Sequence, residues 1–289
     1  MKHHPFKGYF YTFLSYLCWG ILPIYWKLLK QVSPLEILVH RIFWTLIILL
    51  FINAVRYRVY LSDTFRHNKN LKYILLSALM IGTNWFLFIY AISINRILDA
   101  SLGYYINPLV SVLLGVLVLR EKLPREQKIS VFLAFLGVLY LALNYGRLPL
   151  LSLALAVTFA LYSLIRKKIN LKAIPALMLE AALVLPLFLV IFFNSVQSFT
   201  EIAFLNSDFR TVSLLIFSGI VTLVPLLLFG QGVTMIPLKS VGFLQYISPT
   251  FMLLIGTLIY NEPFTTTHLI SFSFIWLALG LYTYSVIKR

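Results

Sequence analysis

Ionisable side chains interrupt two long apolar stretches of this chain, and they are the residues that could carry proton or anion chemistry. Residues 34–50 read PLEILVHRIFWTLIILL and place Glu36, His40 and Arg41 within two helical turns. Glu180 lies alone among apolar residues in a second stretch, PALMLEAALVLPLF. An ionisable group at the centre of a membrane helix costs about 2.5–3.5 kcal/mol, so it marks a functional candidate. These residues are therefore candidates for a substrate or proton site.

Each candidate also has a structural interpretation. Glu36 is close to the end of its apolar stretch and could lie in the headgroup region, while Arg41 could extend to the outer interface. His40 could be a packed, hydrogen-bonded histidine. Glu180 lies deeper and has no counter-charge in its own stretch, which makes it the candidate proton-coupling residue. Arg41 and Glu180 enter from opposite membrane faces, so we expect separate roles in a cavity, with a direct ion pair as the less favoured arrangement.

Composition predicts the class of protein that must position these groups. Hydrophobic residues make up 61% of the chain and charged residues 11%, against about 45–50% and about 25% in soluble domains. Such a chain cannot cover a soluble globule with polar surface, so we expect an integral membrane protein whose main partner is the lipid bilayer. The net charge of +15 is then a topology signal in loops, and we expect no nucleic-acid partner.

Apolar runs of about 20 residues, the length that crosses a bilayer, predict an all-α integral membrane protein with ten transmembrane helices. Backbone that faces lipid must be helical, because its polar groups have no water to bond. The predicted spans are 8–29, 34–55, 72–94, 99–119, 129–145, 148–165, 173–193, 211–234, 239–260 and 266–287. The tight turn at 144–149, which contains Gly and Pro, separates the first five spans from the last five.

Two segments repeat one pattern. Residues 105–121 read YINPLVSVLLGVLVLRE, residues 246–262 read YISPTFMLLIGTLIYNE, and the offset of 141 residues is close to half of the chain. Lys and Arg follow the first copy but not the second, so equivalent points of the two halves face opposite sides of the membrane. The sequence therefore predicts two inverted five-helix repeats, 8–145 and 148–287. With the amino terminus inside, most of the 24 Lys and Arg residues are cytoplasmic, and both termini are cytoplasmic.

Both copies carry a proline within a predicted span, Pro108 and Pro249. A proline frees a backbone carbonyl, which is tolerated where the helix faces a cavity, and symmetric interruptions of this kind point to a transporter site. The alternative is that Gly and Pro permit close helix packing. The predicted substrate-cavity residues are Trp19, His40, Arg41, Asn84, Trp85, Tyr105, Asn107, Gln245 and Tyr246.

Motifs for other chemistry are missing from the sequence. It contains no P-loop, HExxH or GxSxG motif, so nothing predicts ATP hydrolysis or proteolysis, and we expect a protein that is not an enzyme. The single cysteine, Cys18, excludes an intramolecular disulfide and a multi-cysteine metal site. We expect neither a cofactor nor a metal.

Four segments together resemble the RarD branch of the EamA-type drug/metabolite transporters. They are WGILPIYWKLL, EILVHRIFW, SLGYYINPLVSVLLGVLVLREKL and GFLQYISPTFMLLIGTLIYNEPF. The resemblance runs essentially end to end. It implies a bacterial inner-membrane protein of ten helices in two EamA repeats, with proton- or exchange-driven movement of small metabolites or drugs. Members have been named for chloramphenicol sensitivity, but a substrate is not carried over.

The sequence therefore favours a secondary transporter, with export as the favoured direction, that works by alternating access around a small-molecule cavity. The competing class is a non-transporting membrane protein, such as a sensor or an assembly factor. Among substrates, amphipathic drugs compete with amino acids and nucleotide precursors. Transport direction, the coupling ion and the oligomeric state, including a homodimer, stay open.

Overall fold

A computed structural model of the chain describes residues 5–57, 71–93, 97–144, 150–169, 172–261 and 265–288. Within these ranges the secondary structure is helical, and they contain no β-strand. The long helices are α1 (Pro5–Lys27), α2 (Pro34–Ile52), α3 (Leu71–Ser93), α4 (Ile97–Leu117), α5 (Arg125–Asn144), α6 (Leu150–Lys168), α7 (Ala173–Ser195), α8 (Phe209–Met235), α9a (Leu238–Gln245), α9b (Ile247–Leu258) and α10 (Thr266–Ile287). A π-helical turn, Asn53–Tyr57, extends α2, and two short turns, Phe199–Glu201 and Ala203–Asn206, join α7 to α8.

The all-helical membrane architecture predicted from composition is confirmed. Eight helical segments of the described ranges are long and apolar enough to cross a membrane: Pro34–Val55, Leu71–Phe88, Arg125–Asn144, Leu150–Lys168, Ala173–Ser195, Phe209–Met235, Leu238–Leu258 and Thr266–Ile287. The apolar part of α4, Leu102–Leu117, is shorter. The tyrosines and tryptophans of α1 suit a membrane interface and give it a less apolar composition. The predicted junction between halves lies mostly outside the described residues, at 145–149.

Helix starts follow local capping signals. The Ser33 hydroxyl accepts a hydrogen bond from the Glu36 amide at 3.1 Å, and Pro34 occupies the first turn of α2. The Asp208 carboxylate accepts from the Thr211 amide at 3.3 Å at the start of α8. Both side chains satisfy amides that have no partner within the helix itself. These starts could be anticipated from sequence because capping depends on near neighbours.

Glycines allow the helices to approach closely. A Cβ built on Gly219 of α8 would lie 2.5 Å from Trp44 Cβ and 2.7 Å from the Trp44 carbonyl carbon of α2. The Gly219 carbonyl accepts a hydrogen bond from Thr45 Oγ1 at 3.0 Å across the same contact. Small residues allow this approach in membranes, where packing and polar contacts hold helices together.

The two prolines of the repeated pattern have different effects. Pro249 lies in α9b, just after α9 divides at Tyr246, whereas α4 continues through Pro108 without a break. Gly242 of α9a packs against α4 here, since a Cβ on Gly242 would lie 2.7 Å from the Pro108 carbonyl oxygen. Symmetric prolines therefore do not produce symmetric helix breaks in this structure.

We predict that Gly219→Ala lowers the thermal unfolding midpoint of the purified protein. The new methyl group would overlap the α2 backbone, and overpacking of this kind costs about 1–3 kcal/mol. Gly280→Ala is the control, because a Cβ there meets no atom within 4 Å. Equal midpoints for the two variants in the same detergent would contradict the close α2–α8 contact.

Candidate functional site

Glu180 lies at the centre of a buried polar cluster formed by three helices. Its Oε1 is 3.4 Å from Arg166 Nη1 of α6 and accepts a hydrogen bond from Ser77 Oγ of α3 at 2.5 Å. The Tyr162 hydroxyl of α6 donates to Oε2 at 3.3 Å. Glu180 is 3% and Arg166 2% exposed. Three donors therefore converge on one carboxylate in the helical core, and its charge is compensated by a cation.

Arg166 was missed by sequence reasoning, which assigned it to a cytoplasmic loop with its neighbours Lys167 and Lys168. The structure places it in the last turn of α6, with the guanidinium turned into the bundle. Gly230 of α8 makes room for it, since a Cβ there would lie 2.7 Å from Arg166 Nη2. A run of basic residues at a helix end gives no local signal that one member is buried.

A small cavity adjoins the Glu180 cluster. Its volume of about 20 Å³ is enough for roughly one water molecule. The residues that line it come from five helices: Ile42, Thr45, Ile81, Trp85, Tyr162, Leu177, Glu180, Ala181, Thr222 and Leu226. The Thr222 hydroxyl is buried without a hydrogen-bond partner among the described residues. The arrangement is an apolar chamber with one carboxylate in its wall, too small here for a metabolite.

Arg41 lies beside this chamber rather than within the Glu180 cluster. Its guanidinium carbon is 5.3 Å from the ring centre of Trp26 and 5.2 Å from that of Trp85. Trp85 also lines the chamber, so one indole separates Arg41 from the space next to Glu180. The ion-pair partner of Glu180 is Arg166, not Arg41.

His40 and Glu36 belong to a separate packed group. The Glu36 carboxylate accepts hydrogen bonds from the amides of Ala203 and Phe204 at 3.0 and 2.8 Å. His40 stacks on the Phe204 ring with 4.5 Å between centres, accepts from Trp44 Nε1 at 3.3 Å and lies 4.0 Å from Glu36. The structure therefore places His40 outside the chamber lining, because these contacts hold its ring against the α7–α8 connection. A role for His40 in a substrate cavity stays a prediction.

Asn107 and Gln245 meet between α4 and α9a. The Ser111 hydroxyl is 3.1 Å from Asn107 Oδ1 and 3.2 Å from Gln245 Oε1, and all three side chains are buried. Tyr105 packs edge-on against Phe272 of α10 at 5.2 Å. These predicted cavity residues lie at a helix contact and outside the chamber lining.

The remaining predicted residues also lie in helix contacts. Asn84 donates to the Leu155 carbonyl at 2.9 Å and to Thr158 Oγ1 at 3.0 Å, which joins α3 to α6. Trp19 packs against Phe229 at 5.6 Å. Tyr246 is buried at the α9 break, with a hydroxyl that has no partner among the described residues. Of the predicted set, Trp85 and Glu180 line the chamber and Arg41 contacts it through Trp85; roles in transport for all of them stay predictions.

A helical membrane bundle with a charged group facing an internal cavity is an architecture found in small-molecule transporters. The EamA-like transporter family model matches residues 6–143. The chain is 42% identical to "Uncharacterized transporter YojE" of Bacillus subtilis, over 98% of this chain and 95% of that protein. It is 38% identical to "Protein RarD" of Escherichia coli, over 97% of this chain and 95% of that protein.

The chain belongs to the RarD branch of the EamA family, within the drug/metabolite transporter superfamily, and is a multi-pass membrane transporter. A more distant relative, "Chloramphenicol-sensitive protein RarD" of Pseudomonas aeruginosa, is 27% identical over 90% of this chain and 88% of its own. One solved crystal structure superposes with a TM-score of 0.73 at 17% identity, covering 98% of this chain and 99% of the other. That likeness shows the fold alone.

We predict that Arg166→Met destabilises the protein by about 3–5 kcal/mol, because it leaves Glu180 as an uncompensated buried charge. The double variant Arg166→Met/Glu180→Leu should recover most of that loss, since apolar replacement of a buried pair is often neutral. Unfolding by SDS in mixed micelles measures the difference.

The control is Arg125→Met, which removes an exposed arginine at the start of α5 and should change stability by no more than about 0.5 kcal/mol. If Arg166→Met and Arg125→Met unfold alike, the buried pair is not the stabilising contact that the geometry indicates.

Proposed function

We propose that this protein is a secondary active exporter of small metabolites or drugs, which works by alternating access and is driven by protons or by exchange. It would cross the bacterial inner membrane ten times with both termini in the cytoplasm. The observation that carries the proposal is the Glu180–Arg166 pair, a compensated buried charge beside a small internal chamber in a family of transporters.

The equivalence of the two halves is supported by backbone geometry. Arg120 and Asn261 are the described non-glycine residues with positive φ, both at 54°, and they are 141 residues apart. The bounds of two helices agree at the same offset: α4 runs from Ile97 to Leu117, and α9a and α9b together run from Leu238 to Leu258. Such agreement is expected of two repeats, 8–145 and 148–287, whose opposed orientation gives alternating access.

One side of the bundle is held closed by Glu121, which follows α4. Its carboxylate accepts hydrogen bonds from the Leu238 and Lys239 amides at 2.7 and 2.8 Å, at the start of α9a. Gly115 leaves space for it, since a Cβ there would lie 2.8 Å from Glu121 Oε2. The connection after α4 carries the basic residues that predict a cytoplasmic location. The closed side is therefore the cytoplasmic one, and Glu262, the repeat equivalent, lies outside the described residues.

Lys167 adds a second contact on the same side. Its ammonium donates to the carbonyls of Val233, at 3.2 Å, and Ile236, where α8 ends. Together with Glu121, it joins the ends of α4, α6, α8 and α9a. Export would require these contacts to open so that the chamber can load from the cytoplasm.

Glu180 is the proposed coupling residue. All its described partners donate to or pair with the carboxylate. Protonation would remove the negative charge that holds Arg166 and so change the electrostatics of the chamber wall. Exchange of one substrate for another would use the same chamber without protonation of Glu180.

We expect cells that overproduce the intact protein to release at least one compound that cells with Glu180→Gln retain, because the amide cannot titrate. The medium is compared by untargeted mass spectrometry, at matched levels of folded protein and at two external pH values. Chloramphenicol is tested as an added substrate because a relative is named for sensitivity to it.

The matched control is Glu201→Gln, the same change at an exposed carboxylate, which should release as the intact protein does. The double variant Arg166→Gln/Glu180→Gln leaves no unpaired buried charge, so its inactivity would reflect loss of coupling and not of folding. Normal, pH-driven release by the double variant would refute the role of Glu180. Absence of any released compound or drug flux would favour a sensor or assembly role.

We further predict that Glu121→Gln opens the cytoplasmic side. The two amides donate to different oxygens of Glu121, and a glutamine would present an NH2 donor in place of one of them, so one of the two hydrogen bonds would be lost. In a Cys18→Ala background, Ser240→Cys reports the opening, because Ser240 is buried in α9a and would become accessible to an impermeant maleimide in inside-out vesicles. Glu126→Gln is the control; equal labelling rates in the two variants would argue against Glu121 as the closing contact.

A further inference from the structure

Arg41 differs from Arg166 in having no counter-charge among the described residues. Arg166 pairs with Glu180, whereas no carboxylate of the described residues lies within ion-pair distance of Arg41. The Nε of Arg41 is buried and has no acceptor in the described part of the chain. A guanidinium carries five N–H donors, so its hydrogen-bonding capacity is largely unused.

The surroundings of Arg41 hold the cation in place without neutralising it. The faces of Trp26 and Trp85 lie 5.3 and 5.2 Å from the guanidinium carbon, an arrangement that attracts a cation to the ring but accepts no conventional hydrogen bond from it. Tyr104 is near enough to interact electrostatically with it. The position of the guanidinium is therefore defined by rigid aromatic groups, as in a recognition site.

The charge balance beside the chamber favours an anion. Glu180 is compensated by Arg166, and the Glu36 carboxylate is directed to the amides of Ala203 and Phe204. His40, one residue from Arg41, packs in that same Glu36 group. Among the described residues, the charge beside the chamber that lacks a counter-charge is therefore the positive charge of Arg41, which packs on Trp85 of the apolar wall.

We propose that Arg41 binds the carboxylate of an amphipathic organic acid, whose apolar part packs against Trp85 and the chamber wall. This inference rests on the proposed transport function and names its substrate class. A guanidinium matches a carboxylate through two parallel hydrogen bonds, and an anion would supply the acceptors that Arg41 lacks. The chamber is too small to hold such a molecule in the closed structure, so binding accompanies its opening.

The test uses the purified full-length protein in lipid nanodiscs and its tryptophan fluorescence, which Trp26 and Trp85 report from either side of Arg41. The probes are matched acid and amide pairs: 3-phenylpropionate with 3-phenylpropionamide, and octanoate with octanamide. We expect saturable binding of at least one acid, with its amide weaker by about tenfold or more, as for loss of a charged hydrogen-bond partner.

Variants assign the effect to the guanidinium. Arg41→Gln should weaken binding of the acid by about tenfold or more and leave that of the amide unchanged, while Arg41→Lys should give an intermediate loss because it keeps charge but not the two-pronged geometry. Lys30→Gln, at an exposed lysine, controls for net charge. Thermal unfolding of Arg41→Gln should differ only slightly from that of the intact protein, since the change removes two cation–π contacts but leaves no charge unpaired.

Three results would overturn the inference: equal affinity for acid and amide, unchanged acid binding in Arg41→Gln, or no saturable binding by any acid. The export proposal and the organic-acid inference can fail independently, and different results identify each failure. If cells release a neutral or cationic compound and Arg41→Gln does not alter that release, transport stands and the organic-acid inference fails. If no compound is released but acid binding depends on Arg41, the anion site stands and the export proposal fails.

Discussion

A charge buried in a membrane bundle must be compensated within the protein, and the Glu180–Arg166 pair meets this constraint at the centre of the structure. An unpaired ion in such a setting is strongly destabilising, whereas a paired and hydrogen-bonded one is tolerated. The pair and its two hydroxyl donors join α3, α6 and α7. Gly230 of α8 leaves space for the guanidinium of Arg166, because a Cβ there would lie 2.7 Å from Nη2. The positions of four helices thus depend on one carboxylate.

The same requirement for charge compensation applies to Arg41. Arg166 has its carboxylate, whereas the contacts of Arg41 among the described residues are two indole faces and a nearby phenol. In the proposed transport cycle, the cation with unused donors would bind the ligand and the compensated pair would respond to a proton. Trp85 contacts Arg41 and also lines the chamber beside Glu180, so the proposal assigns substrate recognition and coupling to different groups.

Repetition and asymmetry coexist in this fold. The turns at Arg120 and Asn261 have the same left-handed backbone and occupy equivalent places in the repeated pattern. The helices before them differ, since α9 divides near Pro249 while α4 runs through Pro108. Two copies of one sequence pattern can therefore occupy different conformations when their neighbours differ, a property that alternating access between opposed halves requires.

The sequence by itself determined the membrane class, the helical segments and the family, because these follow from composition and short-range pattern. It also identified Glu180 and Arg41 as the ionisable groups of interest. Only the tertiary structure decided that Glu180 pairs with Arg166, that His40 packs on Phe204, and that Asn84 and Asn107 serve helix contacts. These outcomes depend on which side chains of distant helices meet, and a basic run such as Arg166-Lys167-Lys168 looks the same in sequence whether its first member faces water or the protein core.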